Sequence, residues 1–494
     1  MKLNYILLTI LLSAALISCD TNGGSSNGPR PTSGTETIDF YAINDFHGAI
    51  EYNESYGEPG LAKVGGYLKT QRDAAPDNTV ILSSGDMWQG TYESYYNHGK
   101  VITESMNNIG FVSMSVGNHE FDWGSQDITY NAEFADFPML GANIMNYPDI
   151  TTKSDITESY VIVNRGHLKI GVIGAIGQDQ ITSINSFYTK DVYFADPTPI
   201  IKDLSTKLRN DEKCDMVVLS IHTGKDSVDR SLATGGYVDA VFCAHTHQVE
   251  SEKVSGVPFI QGGTKGERIS HVKLSYDYAT KEVTCDTYTN IAKYKIMEQN
   301  PDQEIRTIIN SYSAASSAAG DVNVGTFTYD ADRYSTLPNM STYTIAQESI
   351  KQGHNITLAM TNYARESIYA GTITYKDLFK GLPFDNYIYI VRAMGSDIIR
   401  ELGYGNFIYR VDETTINENE YYTIAVIDYL LWHQNVNKIY DYFPHFNPDT
   451  DVIGRLEDSS GNPLLPRDLI AELVANAPNN QIDPRDYSGA SYTY

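Results

Sequence analysis

The stretch GFVSMSVGNHEFDWG, residues 110–124, joins an apolar-leaning run to a dense group of polar side chains. Asn118, His119, Glu120 and Asp122 lie within five consecutive positions directly after that run. Packing alone gives no reason to end a strand with an amide, an imidazole and two carboxylates. Such groups are typical of a metal or catalytic site, so the stretch predicts a strand that presents chemical groups at its carboxyl end.

Other apolar runs end in the same way. The runs TIDFYAI, NTVILSS, CDMVVLSI and YVDAVFCA predict buried strands. The polar residues at their ends are, in chain order, Asp45, His47, Asp86, His222, His245 and His247. Because the carboxyl ends of parallel strands meet at one edge of a sheet, we expect these side chains to lie close together.

Together with Asn118, these side chains form a mixed set of oxygen and nitrogen donors: Asp45, His47, Asp86, Asn118, His222, His245 and His247. Donors of this kind suit Zn, Mn, Fe or other divalent ions. A single histidine after a strand is usually a packed or solvated side chain, but five such strand ends are hard to explain by packing. The set is large enough for two ions when one carboxylate bridges them.

The length and charge of the chain narrow the possible functions. A chain of 494 residues is too long for one core and predicts two or three domains. The formal charge of -26 argues against polymeric nucleic acid as a partner, because binding to a phosphate backbone requires clustered Lys and Arg. The negative charge does not exclude a small anion as a ligand if metal ions hold that anion.

The first residues are typical of an export signal. Lys2 precedes the apolar run ILLTILLSAALI, and Ser18 precedes Cys19. The sequence predicts a lipoprotein signal peptide over residues 1–18, with Cys19 as the acylated N-terminus, and a disordered Gly/Ser/Pro-rich tether over residues 19–36. The alternative is a plain secretory signal with an incidental cysteine. The remaining cysteines, Cys214, Cys243 and Cys285, are odd in number and give no complete disulfide framework. Cys214 and Cys243 lie beside or inside apolar runs, which predicts buried structural thiols.

Strand-like and helix-like segments alternate through residues 37–297, which predicts a layered α/β domain. Helical patterns lie in LAKVGGYLKTQRDA, KVITESMNNIG and TPIIKDLSTKLRND, and Asp196 with Pro197 predicts the N-terminus of the last. A helical, Ala/Ser-rich connector follows over residues 298–321. Residues 322–494 show mixed α and β character and predict a second domain.

The full set of motifs resembles the metallophosphoesterase signature. The longer forms NDFHG, SGDMWQG, GNHEFDWG and AHTH resemble its 5'-nucleotidase and UDP-sugar hydrolase branch. Ala244 is a variation, since the family usually has Gly before the His-x-His pair. The resemblance implies an α/β fold, with a calcineurin-like αββα sandwich followed by an α+β substrate domain of the 5'-nucleotidase type.

The resemblance also implies roles for the polar residues. Asp45, His47, Asp86 and His247 would hold a first metal, and Asp86, Asn118, His222 and His245 a second, with Asp86 bridging. His119 and Asp122 would form a catalytic pair: His119 faces the phosphate and Asp122 orients it. Glu120 has no assigned role and is interpreted as structural. The implied reaction is in-line attack on phosphorus by a metal-bound water.

In the second domain the resemblance implies a substrate site made by Arg333, Arg365, Phe384 and Tyr429, with the two rings gripping a base. The match is thinner here. The Gly-rich run that precedes the second arginine in the family is replaced by MTNYA, and WHQNVN replaces a Gly-Gly-Asp segment. Because glycine lets a backbone approach a ligand closely, these changes predict a reshaped or narrowed nucleoside pocket.

The sequence therefore predicts an exported, membrane-tethered phosphoric monoester hydrolase that removes phosphate from 5'-nucleotides at the cell surface or in the periplasm. Its cofactors would be two divalent ions, Zn, Mn or similar, and its partner a small nucleotide, with no obligate protein partner. The enzymatic alternatives are hydrolysis of UDP-sugars or of 2',3'-cyclic nucleotides by the same metals. An alternative of another class is a surface-binding lipoprotein with impaired catalysis.

Overall fold

The computed structural model describes residues 28–412 and 414–487. The predicted signal peptide, Cys19 and the tether as far as residue 27 lie outside the described residues. Two regions follow, one on each side of a long helix.

The N-terminal region contains two six-stranded sheets. Its strands are β1 (Thr35–Ile43), β2 (Thr79–Ser83), β3 (Ser113–Ser115), β4 (Met139–Leu140), β5 (Ile144–Asn146), β6 (Tyr160–Arg165), β7 (Leu168–Ile176), β8 (Val192–Phe194), β9 (Met216–His222), β10 (Ala240–Phe242), β11 (Val249–Val254), β12 (Val257–Gly262), β13 (Ile269–Asp277) and β14 (Val283–Ile291). The strand orders are β14-β13-β1-β2-β3-β4 and β11-β12-β10-β9-β7-β6, while β5 and β8 pair separately.

The two sheets pack face to face. In β1, Ile38, Phe40 and Ala42 point into the core between the sheets, whereas Tyr41 and Ile43 point to the opposite face. This alternation is what a strand with a side-chain period of two produces when both faces are covered. Burial of one such aliphatic side chain contributes roughly 1.5–3 kcal/mol to folding.

Helices cover the outer faces of both sheets. They are α1 (Leu61–Ala74), α2 (Tyr92–Tyr95), α3 (Lys100–Ile109), α4 (Ser125–Ala132), α5 (Pro197–Asn210), α6 (Ser231–Thr234), α7 (Lys293–Met297) and α8 (Gln303–Gly320). Residues of α1 and α3 pack on the first sheet, and residues of α5 and α6 on the second. The layers are therefore helix, sheet, sheet and helix, which confirms the predicted layered α/β architecture.

The predicted start of α5 is confirmed. Pro197 is its first residue, and the Asp196 carboxylate accepts a hydrogen bond of 2.9 Å from the amide of Thr198. A carboxylate at this position satisfies an amide that has no partner within the helix.

Helix α8 occupies most of the segment predicted as a connector. Asp302 caps it, with its side chain accepting from the amides of Glu304 and Ile305. Ile305 and Ile309 are buried in the same core as α1 and α3. The helix is thus packed on the N-terminal region along its length and fixes where the next region begins.

The C-terminal region contains a five-stranded and a three-stranded sheet. Its strands are β15 (Asn323–Phe327), β16 (Leu358–Thr361), β17 (Gly371–Thr374), β18 (Ile388–Met394), β19 (Phe407–Arg410), β20 (Tyr421–Ile427), β21 (Val452–Arg455) and β22 (Gln481–Ile482). Its helices are α9 (Thr336–Lys351), α10 (Tyr375–Gly381), α11 (Gly395–Gly403), α12 (Asp428–Leu431), α13 (Pro448–Asp451) and α14 (Pro466–Asn476). The sheet orders are β19-β16-β20-β18-β21 and β17-β15-β22, an α+β arrangement as predicted.

The end of the predicted tether is ordered, which corrects its boundary at residue 36. Strand β1 begins at Thr35, which pairs with Asp277. Arg30 forms an ion pair with Asp215 and lies over the ring of Tyr278, with 5.4 Å between the guanidinium carbon and the ring centroid. The sequence misses this because Gly, Pro and Ser composition carries no information about a distant carboxylate.

Cys214 and Cys243 are buried free thiols, as predicted, and Cys285 is partly exposed and also free. Within the described residues, no helix has the length and hydropathy needed to cross a membrane.

Candidate active site

The carboxyl ends of two sets of parallel strands meet at one edge of the sandwich. Strands β1 to β4 run parallel in the first sheet, and β7, β9, β10 and β12 run parallel in the second. Two groups of side chains lie at this edge with donor atoms within 4.8 Å of one another: Asp45, His47 and His247 in the first group, and Asp86, His222 and His245 in the second. Asn118 joins the second group, since its Oδ1 lies 3.1 Å from both His222 Nε2 and His245 Nδ1.

Asp86 lies between the two groups. Its Oδ2 is 3.2 Å from His222 Nε2, and it also forms a group with His47 and His119 in which the donor atoms lie within 4.8 Å. This central position is the one that a bridging carboxylate requires.

Five of the seven predicted ligands have a left-handed backbone. The φ angles are 48° at Asp45, 51° at His47, 55° at Asp86, 75° at His245 and 58° at His247. Residues other than glycine rarely adopt positive φ, and each such conformation costs on the order of 1–3 kcal/mol. Strain concentrated on one set of side chains indicates that the fold holds these donors in place at the expense of stability.

Hydrogen bonds between loops hold this strained backbone. The amide of Asp45 donates to the carbonyl of Gly85 over 2.9 Å, and the amide of His47 donates to the carbonyl of Asp86 over 3.0 Å. The loops after β1 and β2 are therefore paired beyond the ends of their strands, and their ligands keep a fixed spacing.

Glu120 links the loop after β2 to the loop after β3. Its buried carboxylate accepts hydrogen bonds from the amides of Asp86 (2.8 Å), Met87 (2.8 Å) and Gly117 (2.7 Å). Burial raises the pKa of Glu120 to about 7. Glu120 thus joins the loop that carries Asp86 to the loop that carries Asn118.

The donor set fits divalent metal ions. The Nδ1 of His47 donates to the backbone carbonyl of Gln89 over 3.0 Å, which leaves its Nε2 lone pair directed into the site. Burial lowers the pKa of His47 to about 3, so this imidazole is neutral. Its Nε2 lies 3.0 Å from Nε2 of His247, whose ring in turn lies 3.4 Å from a carboxylate oxygen of Asp45. Imidazoles and carboxylates converging in this way are a typical ligand shell for a metal.

His119 and Asp122 lie beside the metal ligands as a pair. Nδ1 of His119 and Oδ2 of Asp122 are 2.7 Å apart, and the amide of His119 donates to Oδ1 of Asp86 over 2.9 Å. Burial lowers the pKa of His119, but the carboxylates of Asp122 and Asp86 outweigh that effect and raise it to about 9. A protonated imidazole held by a carboxylate can donate a hydrogen bond to an oxygen that gains charge.

The C-terminal region closes over this edge and forms a cavity of about 370 Å³. His47, His119 and His247 line one side, and Arg333, Arg365 and Phe384 line the other. The ring of Phe384 lies nearly parallel to that of His119, at an angle of 10° with 5.8 Å between centroids. Three of the four predicted substrate residues therefore face the predicted ligands.

Tyr429 has a different position. It is not among the described residues that line the cavity, and its ring packs against His433 and Tyr442, with centroid distances of 5.9 and 6.5 Å. Burial raises the pKa of its hydroxyl. In this structure, Phe384 stacks on His119, and Tyr429 belongs to a neighbouring aromatic cluster.

Some residues that line the cavity were not predicted from the sequence. Gln89, Lys265 and Lys380 line the cavity without belonging to the predicted set. Gln89 lies in the motif SGDMWQG, and this position could have identified it as a residue of the site. The two lysines lie outside the motifs and come near the site only through the fold.

Two family models match consecutive parts of the chain. Residues 38–249 match the calcineurin-like phosphoesterase model, and residues 291–407 match the C-terminal domain of 5'-nucleotidase. The first covers the candidate metal ligands and the sandwich strands from β1 to β10, and the second covers the segment with Arg333, Arg365 and Phe384.

The chain is also similar to known proteins over most of its length. It is 25% identical over 421 residues to the protein UshA of Yersinia enterocolitica, covering 74% of this chain and 76% of that one. It is 27% identical over 459 residues to a 5'-nucleotidase of Vibrio cholerae, covering 80% of each. A solved structure of a 5'-nucleotidase precursor from Thermus thermophilus superposes with a TM-score of 0.69 at 16% identity, covering 90% of this chain and 99% of that one. The chain therefore belongs to the metallophosphoesterases that carry a 5'-nucleotidase C-terminal domain.

Proposed function

We propose that this metal-dependent phosphoesterase hydrolyses 5'-nucleotides to nucleosides and phosphate. The observation that carries the proposal is the cavity itself. The candidate metal donors His47 and His247 line one side of it with His119, and Arg333, Arg365 and Phe384 line the other side, around a volume of about 370 Å³. A site for a phosphate ester with an attached base needs these elements: cations for the phosphate and an aromatic surface for the base.

The positions of the donors support two ion sites. Asp45, His47, Asp86 and His247 would hold the first, and Asp86, Asn118, His222 and His245 the second. When bound, two such cations neutralise a phosphoryl group and make a water molecule a strong nucleophile near neutral pH.

The other residues act on the substrate directly. His119, protonated and held by Asp122 at 2.7 Å, donates to a phosphoryl or leaving-group oxygen as charge develops there. Arg333 and Arg365 contact the anionic or polar parts of the nucleotide. Phe384 presents its ring to the base or to the sugar that carries it.

A substrate panel tests this proposal. AMP, a UDP-sugar, a 2',3'-cyclic nucleotide and an aryl phosphate are offered with Mn, Zn, Co or Mg after metal removal. The expected result is the highest kcat/KM on AMP, and no activity without metal. Higher kcat/KM on the UDP-sugar or the cyclic nucleotide would replace the proposed substrate and keep the phosphoesterase. An inactive protein that still binds nucleotide would support the surface-binding alternative.

Asp86→Asn provides the matching test of the site. The amide removes the negative charge shared by the two groups, so bound metal and turnover should both fall sharply. Full metal content with full activity would overturn the role of Asp86. Asp73→Asn is the control, because that carboxylate is exposed and pairs with its neighbour Arg72.

We also propose that the protein is exported and held at a membrane surface by acylation of Cys19. The proposal rests on the signal-like sequence before Cys19 and the Gly/Ser-rich segment after it. Cys19→Ser should release the protein into the soluble fraction with unchanged kcat/KM. Retention of that variant in the membrane fraction would overturn the anchor.

A further inference from the structure

Residues 382–385, here called the substrate loop, carry Phe384 and are held from both sides. From the C-terminal region, the fully buried Arg467 donates to the carbonyls of Leu382 (3.2 Å) and Phe384 (2.9 Å) and forms an ion pair with Asp385. From the N-terminal region, the hydroxyl of Tyr95 lies 2.9 and 3.0 Å from the two carboxylate oxygens of Asp385. The loop that places Phe384 is therefore fixed by both regions.

Gln89 connects this loop to the metal ligands. It lies three residues after Asp86 and is 2% exposed. Its backbone carbonyl accepts the hydrogen bond from Nδ1 of His47 over 3.0 Å. Its side-chain amide donates to the backbone carbonyl of Pro383 over 3.0 Å. One residue thus contacts a metal ligand through its backbone and the substrate loop through its side chain.

The contact to Pro383 also determines how the Gln89 amide is oriented. Its Oε1 has no hydrogen-bond partner within residues 28–412 and 414–487, so the bond from Nε2 is the one that fixes the side chain. Rotating the amide by 180° would place two carbonyl oxygens against each other. A buried amide whose oxygen lacks a hydrogen bond costs stability, and the fold retains it at this place.

We propose that Gln89 is a positioning residue that sets the distance between the metal site and Phe384, and that it thereby favours nucleotides over phosphate esters without a base. This inference rests on the proposed function. Chemistry at phosphorus and recognition of the base take place on different regions of the chain, so a productive complex requires that both be held in register. A misplacement of about 1 Å can cost roughly a hundredfold in rate.

Gln89→Met tests the inference. Methionine matches the length of glutamine and removes the N–H donor, while the backbone carbonyl that orients His47 remains. We expect kcat/KM on AMP to fall roughly ten- to hundredfold, mainly through KM, with a clearly smaller loss on an aryl phosphate. Bound metal should stay at the wild-type level. Gln180→Met is the matched control, a buried glutamine of the same region whose amide contacts Asp179 rather than the loop.

A double variant separates positioning from general damage. If Gln89 acts through Phe384, adding Gln89→Met to Phe384→Ala should cause little further loss on AMP. Equal losses of Gln89→Met on both substrates, or fully additive effects in the double variant, would overturn the inference. Unchanged kinetics of Gln89→Met in an enzyme that hydrolyses AMP would overturn it as well. A wild type without nucleotide hydrolysis would instead overturn the proposed function on which the inference depends.

Discussion

At the scale of single residues, His119 is the side chain whose role differs most from that of its neighbours. It lies directly after the candidate ligand Asn118 and within donor distance of His47 and Asp86, yet its Nδ1 contacts the carboxylate of Asp122, which is in none of the donor groups. We expect His119→Ala to lower kcat by roughly a hundred- to a thousandfold, since the lost imidazole donates a hydrogen bond to the oxygen on which negative charge develops. The metal content should stay unchanged, because His119 is assigned no ion.

Asp122→Asn should act in the same direction and more weakly, because the imidazole remains and loses its carboxylate partner. Both variants are assayed with AMP, and metal is counted by elemental analysis. Loss of one metal from the His119 variant would show that His119 is a ligand and that its role was assigned wrongly.

Asp428 offers a second test at this scale, on stability. It is buried at 1% exposure, and burial raises its pKa to about 8. In the unfolded chain the carboxyl ionises near pH 4, whereas in the folded protein it stays protonated up to about 8. The free energy of unfolding should therefore fall as pH rises from about 4 to about 8.

Asp428→Asn should remove most of that decline, as measured by urea midpoints at pH 5.5 and 8. Asp397→Asn is the control, because that carboxylate is also buried in the C-terminal region but accepts hydrogen bonds from the backbone amide and Nδ1 of His445. A parallel decline of wild type and Asp428→Asn would assign the pH dependence to other groups.

At the scale of elements, the parallel strands explain why much of the site could be predicted from sequence. A buried run followed at once by Asp, Asn or His places its polar residue at a shared sheet edge, and no distant information is needed. The N-terminal helices α1, α3 and α5 were predictable for a similar reason, since their apolar spacing is local. The fold class and the convergence of the candidate ligands were therefore within reach of the sequence, while the role of each ligand stays a prediction.

The rest depends on contacts between distant segments. Glu120 acts by accepting hydrogen bonds from backbone amides of two loops. Every residue except proline has a backbone amide, so the sequence does not show which amides will be the partners. The position of Tyr429 depends on how His433 and Tyr442 pack around it. Gln89 matters through a carbonyl almost three hundred residues away in the chain. Such roles become visible when the fold is known.

The substrate loop yields a prediction for Phe384, whose ring lies against His119 and faces the cavity. Phe384→Ala should raise KM for AMP, because stacking on a base is worth about 1–3 kcal/mol. An aryl phosphate should lose less, since its single ring has fewer contacts to give up. Equal loss on both substrates would make Phe384 a structural residue. Phe379→Leu nearby serves as a packing control, because Phe379 is buried against Tyr92 and Tyr95.

At the scale of the whole molecule, metal and stability should be linked. Five candidate ligands with a strained backbone, and several imidazoles that lie close to one another, lower the stability of the metal-free fold. Ions that bind only the folded state raise that stability again. An ion at a hundred times its Kd adds about 2.7 kcal/mol, which corresponds to roughly 5–10 °C in Tm for a region of this size. Chelation should lower Tm by that amount in the wild type and by much less in Asp86→Asn. Equal Tm values with and without metal would contradict the link.

The buried Arg467 has a consequence for how this protein can be recombined. Its charge is satisfied by Asp385 of its own region together with Tyr95 of the other, which lies 2.8 Å away. A C-terminal region grafted onto a foreign phosphoesterase would bring the arginine without Tyr95 and the loop without Gln89. A functional chimera should therefore carry helix α2 and the preceding SGDMWQG segment along with the C-terminal region. The set of residues that has to be transferred to keep substrate specificity thus includes parts of both regions.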